Sequence, residues 1–176
     1  YNDIASDTTD SDGNAEFYID ATLGSYIGLK AEPSTRDGYV TTYMFNLKWD
    51  EFDSWYLYAI PTTFYTSVVS DTSKGTVLGE VRSTWSSSDS VGCATVSATD
   101  GTVIYANASG QPDPSAMSTD PDNGAFAIIG MTPGSSVVRS YVNSEETGYT
   151  GVYTYAGAVT TTIVISDEET PNDCGL

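Results

Sequence analysis

One motif occurs twice in this chain. Thr9-Asp10-Ser11-Asp12-Gly13-Asn14-Ala15-Glu16-Phe17 nearly recurs as Thr119-Asp120-Pro121-Asp122-Asn123-Gly124-Ala125-Phe126. Each copy runs into an apolar strand-like stretch and then a glycine, Gly24 in the first and Pro133-Gly134 in the second. Self-similarity of this kind is the signature of tandem copies of one small module. The copies differ in what precedes them. A long run of strand-like sequence leads into the second, whereas only eight residues precede the first. The first module therefore reads as lacking its opening strands.

The surrounding pattern is that of strands. Phe17 and Ile19 alternate with polar neighbours, and Tyr26–Ala31, Gly38–Leu47, Trp55–Ile60, Val77–Val81, Ala94–Ala98 and Thr102–Ala106 continue the theme. Period-2 alternation with Thr, Tyr and Val enrichment favours β structure. Ala125–Ile129, Ser136–Val142, Gly151–Tyr155 and Ala158–Ile165 complete the set. Asp100-Gly101 is a hairpin-turn signal, and residues 108–124 read as a long Pro/Asp/Gly-rich loop. Pro61–Val69 is the exception, because Phe64 and Val68 stand four apart as on a helix face, and it reads as a short helix or an irregular connection. No long helical pattern appears. The expectation is an all-β chain of two tandem small antiparallel β-sandwich modules of Ig or transthyretin type. Residues 1–73 would form an incomplete N-terminal module, Ser70–Gly75 a linker, and 74–176 the second module with an acidic tail.

Charge excludes one class of partner. There are 24 acidic residues against 6 basic ones, a net charge of -18. Nucleic-acid binding needs clustered Lys and Arg, which this chain lacks. No apolar run reaches the length of a membrane span. Histidine is absent, which removes the commonest general base and transition-metal ligand. Without it, and with no G-x-S-x-G elbow, the abundant Ser and Thr have no activating partner. The reading is non-enzymatic. The start at Tyr1-Asn2-Asp3 reads as that of a processed mature chain, and the thirteen tyrosines with many Ser and Thr suit an extracellular β protein.

Several residues invite specific chemistry. Asp10, Asp12, Asn14 and Glu16 place oxygen ligands at alternate positions, as a Ca²⁺ loop does. Counting from Asp10, the twelfth position is Ala21, which cannot supply the bidentate carboxylate of an EF-hand. A different Ca²⁺ loop, with Asp3 or Asp7 completing the shell, stands against an ordinary turn capped by its own Asp and Asn side chains. Asp120, Asp122 and Asn123 form a sparser second set with the same two readings. Cys93 and Cys174 are the only cysteines. An even count in an oxidising compartment favours one disulfide, and closing a loop of that length contributes roughly 4 kcal/mol in the chain-entropy picture. Asn107-Ala108-Ser109 is a glycan-acceptor sequon in a secreted setting. Trp49, Trp55 and Trp85 are candidates for a sugar-stacking platform or for core filling.

Val77-Leu78-Gly79-Glu80-Val81, Gly92-Cys93-Ala94-Thr95-Val96, Thr119–Phe126 and Met131-Thr132-Pro133-Gly134 together resemble the carboxypeptidase regulatory-like domain family. The resemblance covers about residues 76–166. Cys93 intrudes into the family's G-A-T-V segment, and Thr132 replaces the first proline of its P-P-G. The segment 9–31 is similar only to the later half of the pattern. The resemblance implies a secreted, non-catalytic β-sandwich module of a stalk, spacer or surface protein, related to transthyretin-like and Cna-B-type sandwiches. With the missing strands, it points to an extracellular structural protein that polymerises with itself by strand addition. Residues 1–8 or 166–176 would be donors beside a gap lined by Phe17, Ile19, Ile27 and Leu29. The alternatives are completion in cis by residues 32–72, and a monomeric adhesin or carbohydrate-binding module.

Overall fold

The computed structural model describes residues 5–9, 15–16, 26–33, 38–48, 57–84 and 89–170. In chain order these form β1 (Tyr26–Ala31), β2 (Tyr39–Val40), β3 (Thr42–Lys48), β4 (Ile60–Pro61), α1 (Thr62–Val68), β5 (Gly75–Arg82) and β6 (Thr95–Ser97). Then follow β7 (Thr102–Ala106), β8 (Pro112–Asp113), β9 (Ala125–Met131), β10 (Gly134–Val142), β11 (Glu145–Thr154) and β12 (Val159–Ile165). The chain is all-β in the sandwich sense. A seven-stranded sheet, β1-β3-β12-β5-β9-β7-β8, faces a three-stranded sheet, β11-β10-β6, with a small β2-β4 ribbon beside them.

Alternation along the strands creates the core. Val77 and Val81 of β5, Phe126 and Ile128 of β9, Tyr105 of β7 and Val164 of β12 turn to one side. There they meet Val96 of β6, Val138 and Val142 of β10 and Val152 of β11. Intervening residues turn to the other face of the large sheet. At one end of that face Leu78, Ile129 and Val159 pack under Tyr65 of α1 and Val69, which follows the helix. Both faces are buried at this end, so consecutive residues rather than alternate ones are covered, Gly75, Thr76 and Val77 on β5 and Val159 and Thr160 on β12.

Three sequence expectations are corrected. The sheet is not purely antiparallel, because β12 pairs in parallel with both β3 and β5. In the stretch expected as a strand over Trp55–Ile60, Leu57–Ala59 are irregular and strand begins at Ile60, while Trp55 and Tyr56 lie outside the described residues. The loop 108–124 holds β8, which closes a hairpin onto β7. Pro61 caps α1 from outside its first turn, with ψ of 135°. The expected boundary between 73 and 74 is crossed by the β3–β12 hydrogen bonds, so β1 and β3 extend the sheet of the following segment. Ile27 and Leu29 are half-buried on β1, and Phe17 and Ile19 lie outside the described residues.

Local chemistry sets the turns. Asn143 and Ser144 both have positive φ, 52° and 70°, which is the two-residue type I′ hairpin that matches strand twist. Gly79 lies under the Phe126 ring, where an added Cβ would sit 2.3 Å from the ring's Cζ. Gly148 allows an equally close approach of the Ile165 carbonyl.

Candidate functional site

Two features stand side by side around the β7–β8 hairpin: the turn that carries the repeated motif, and an open stretch of the large sheet. The turn begins at Thr119, which is 2% exposed. Its hydroxyl donates to the Val91 carbonyl at 2.7 Å and accepts from the Ala94 N–H at 3.0 Å. The Thr119 carbonyl accepts from the Cys93 N–H at 2.9 Å. The motif's threonine thus ties the segment before β6 to the turn before β9. Asp120 Oδ1 accepts from the Asp122 N–H at 2.9 Å, and the Asp120 carbonyl accepts from Gly124 at 2.7 Å. Asn123 Oδ1 accepts from Ala125 at 2.8 Å, while its Nδ2 donates to the Asn107 carbonyl at 2.7 Å. Gly124 has φ of +59°, and an added Cβ there would lie 2.4 Å from the Val81 carbonyl.

Turn chemistry therefore uses the side-chain oxygens of Asp120 and Asn123. Among the described residues no group of three or more His, Cys, Asp or Glu lies close enough to hold a metal ion. Glu16 is exposed, and its N–H donates to Asp7 Oδ2 at 3.2 Å. Asp10, Asp12 and Asn14 lie outside the described residues. So do Trp49, Trp55, Trp85 and Cys174.

Cys93 adopts φ of +61° beside a second anchoring point. Thr170 Oγ1 donates to the Ser90 carbonyl at 3.1 Å and accepts from the Gly92 N–H at 2.9 Å. Upstream, the Ser166 and Asp167 N–H groups donate to the Arg82 and Thr147 carbonyls. The tail up to Thr170 is thus laid along its own module and reaches the loop that carries Cys93.

Beyond the part covered by α1, the outer face of the seven-stranded sheet opens into a groove of about 490 Å³. Its floor includes Met44, Ile163, Leu78, Ala127 and Ile104 from five adjacent strands. The only charged residues in the described lining are Glu80 and Arg82, and they pair with each other, Arg82 Nε donating to Glu80 Oε2 at 2.7 Å. The groove is thus nearly neutral on a strongly acidic chain. Ala106, Gly110 and Pro112 of the β7–β8 hairpin form one rim.

Sequence reasoning missed an aromatic row. Tyr43 stacks on Tyr155 with centroids 4.3 Å apart and on Phe45 at 5.8 Å, and Tyr153 meets Tyr155 at 4.9 Å. Tyr43 and Phe45 are two apart on one strand, the spacing that places rings on one face. That signal was present in Gly38–Leu47, but its partner, Tyr155, lies more than a hundred residues on.

Among the described residues, two tyrosines are buried away from solvent. Burial pushes the Tyr105 phenol above its ordinary range, against a smaller pull from its contact with Val96. Its hydroxyl accepts from the Val96 N–H at 2.8 Å. Burial likewise raises the Tyr65 phenol.

No family model matches the chain, and neither the curated proteins nor the solved structures contain a match to it. Among the described residues, no helix is long and apolar enough to cross a membrane.

Proposed function

We propose that this chain is an extracellular structural subunit that associates with copies of itself into a filament or surface layer. The observation that carries the proposal is the open groove on the large sheet. A chain of net charge -18 opposes its own association through repulsion. At the groove that opposition is weakened, because its two described charges neutralise each other. It also offers apolar surface, worth about 25 cal/mol per Å² on burial. A groove on one copy that receives a different part of the next makes a heterologous contact, which propagates as an open polymer. Kinship with carboxypeptidase regulatory-like modules is part of the proposal. It is supported by the roles of Gly79, Thr119, Gly124 and Phe126, which seat the motif on β5 and β9. Residues 166–170 are poor donor strands, since they are engaged on their own module; residues 1–8 remain the donor of choice.

Light scattering over a concentration series tests the reading. The expected result is growth in mass with concentration, abolished by Ala127→Glu, which places an unpaired charge on the groove floor. A folded monomer at high concentration, or unchanged growth in the Ala127→Glu variant, defeats it.

The second reading is a monomeric adhesin that binds sugars. The stacked row Phe45, Tyr43, Tyr155 and Tyr153 favours it, because aromatic faces present flat apolar platforms with polar tips.

A further inference from the structure

We propose that Asn107 carries an N-linked glycan, placed at the rim of the open groove. The inference rests on the extracellular reading above. Asn107-Ala108-Ser109 is the only N-x-S/T sequence in the chain, and the fold presents it at the tip of the β7–β8 hairpin. Asn107, Ala108, Ser109 and Gly110 are all exposed. The tip is rigid rather than trailing. The Asn107 N–H donates to the Gln111 carbonyl at 2.9 Å, Gly110 donates back to the Asn107 carbonyl at 2.8 Å, and Asn123 Nδ2 braces that same carbonyl.

The two ends of the Asn107 carboxamide are used differently. Oδ1 accepts from the N–H groups of Ser109 and Gln111, at 3.0 and 3.1 Å. Nδ2 makes no hydrogen bond within the described residues. An amide has one acceptor oxygen and two N–H donors, so the oxygen holds the turn and the nitrogen is left to solvent. Glycosylation needs that nitrogen. A bond forms between Nδ2 and the anomeric carbon of an oligosaccharide, and the bond from that carbon to the phosphate oxygen of a lipid-pyrophosphate-linked donor breaks. One amide proton is lost to base, and the lipid pyrophosphate departs with the bonding electrons. The product keeps Oδ1 and both of its accepted hydrogen bonds, so the turn survives the modification. A sugar anchored there stands next to Ala106, Gly110 and Pro112 of the groove wall. It would restrict which approach to the apolar floor a partner can take.

The test is mass spectrometry of the peptide containing Asn107, from protein recovered from its native source outside the cell. Ser109→Ala and Ser109→Thr variants expressed in that source are compared with it. The expected result is an added mass of whole sugar residues in the wild type and in Ser109→Thr, lost in Ser109→Ala. Ser109→Ala is preferred to Asn107→Gln because it leaves the turn-forming carboxamide in place, and an unchanged melting midpoint verifies that the variant folds. Unmodified Asn107 in protein recovered outside the cell overturns the inference and leaves the extracellular reading standing. Protein found only inside the cell overturns the extracellular reading, and the glycan with it.

Discussion

Replacing Gly79 by alanine tests the motif at its most crowded point. The added Cβ would meet the Phe126 ring at 2.3, 2.8 and 2.9 Å. Ring atoms at the end of a side chain can often swing away, but Phe126 is 3% exposed and embedded among Val77, Val81 and Ile128. The methyl therefore has to displace packed core, at a cost of about 1–3 kcal/mol. Against this stands a gain of about 0.5–1 kcal/mol from removing a flexible glycine within a strand. Steric cost wins, and the expected net loss is about 1–2 kcal/mol. At about 2–4 °C per kcal/mol for a chain of this size, the melting midpoint falls by roughly 2–8 °C. The decisive measurement is a double-mutant cycle with Phe126→Leu, read by urea unfolding. Shortening the ring makes room for the methyl, so Gly79→Ala should cost little or even stabilise in that background. A coupling of about 1 kcal/mol or more between the two sites follows. Additive effects, or a neutral Gly79→Ala in the wild type, would refute the idea that this glycine exists to seat Phe126.

Two further outcomes follow from the site. The fold favours the neutral phenol at Tyr105 and Tyr65, so their contribution is fully present below about pH 10, the ordinary tyrosine value, and is lost as pH rises through their elevated folded values. Thermal melts should show a midpoint that falls on the alkaline side, with Tyr105→Phe flattening that limb; an unaltered limb in the variant would contradict the assignment. The docking of Thr170 on Ser90 and Gly92 brings the tail to the loop of Cys93, so peptide mapping without reductant should recover Cys93 linked to Cys174 within one chain, and reduction should lower stability by up to roughly 4 kcal/mol. Two unlinked thiols, or linkage only between chains, would remove that proposal.

Strands whose evidence is local were legible. Tyr26–Ala31 and Thr102–Ala106 are found with the bounds their alternation suggests. The local pattern places a strand over Gly151–Tyr155, whereas β11 runs Glu145–Thr154, because Asn143-Ser144 lacks the Asn-Gly or Asp-Gly signature of a type I′ turn and Glu145-Glu146 carry no apolar signal. The parallel pairing of β12 with β3 and β5 was not legible, since pairing between distant strands leaves no trace in either strand's own period. The same holds for the groove. Its floor residues are the off-beat members of strands read mainly for their core face. The second copy of the motif is visible in the sequence, but nothing in its pattern assigns Thr119 a role. Only the fold reveals that the Thr119 hydroxyl bridges two backbone groups from the opposite side of a loop.

The position of β12 has a consequence for how the chain is made. It lies between β3 and β5, so β3 has its inner neighbour only after a strand roughly a hundred residues later has been synthesised. At about 5–20 residues per second this is on the order of ten seconds. During that interval β1 and β3 can pair with each other, but they cannot join the sheet. Long-range pairings of this kind slow folding and prolong the exposure of strand edges. The chain's vulnerable period is therefore its own synthesis, when the edge that β12 will occupy is open to any strand that arrives first, including one from a neighbouring copy.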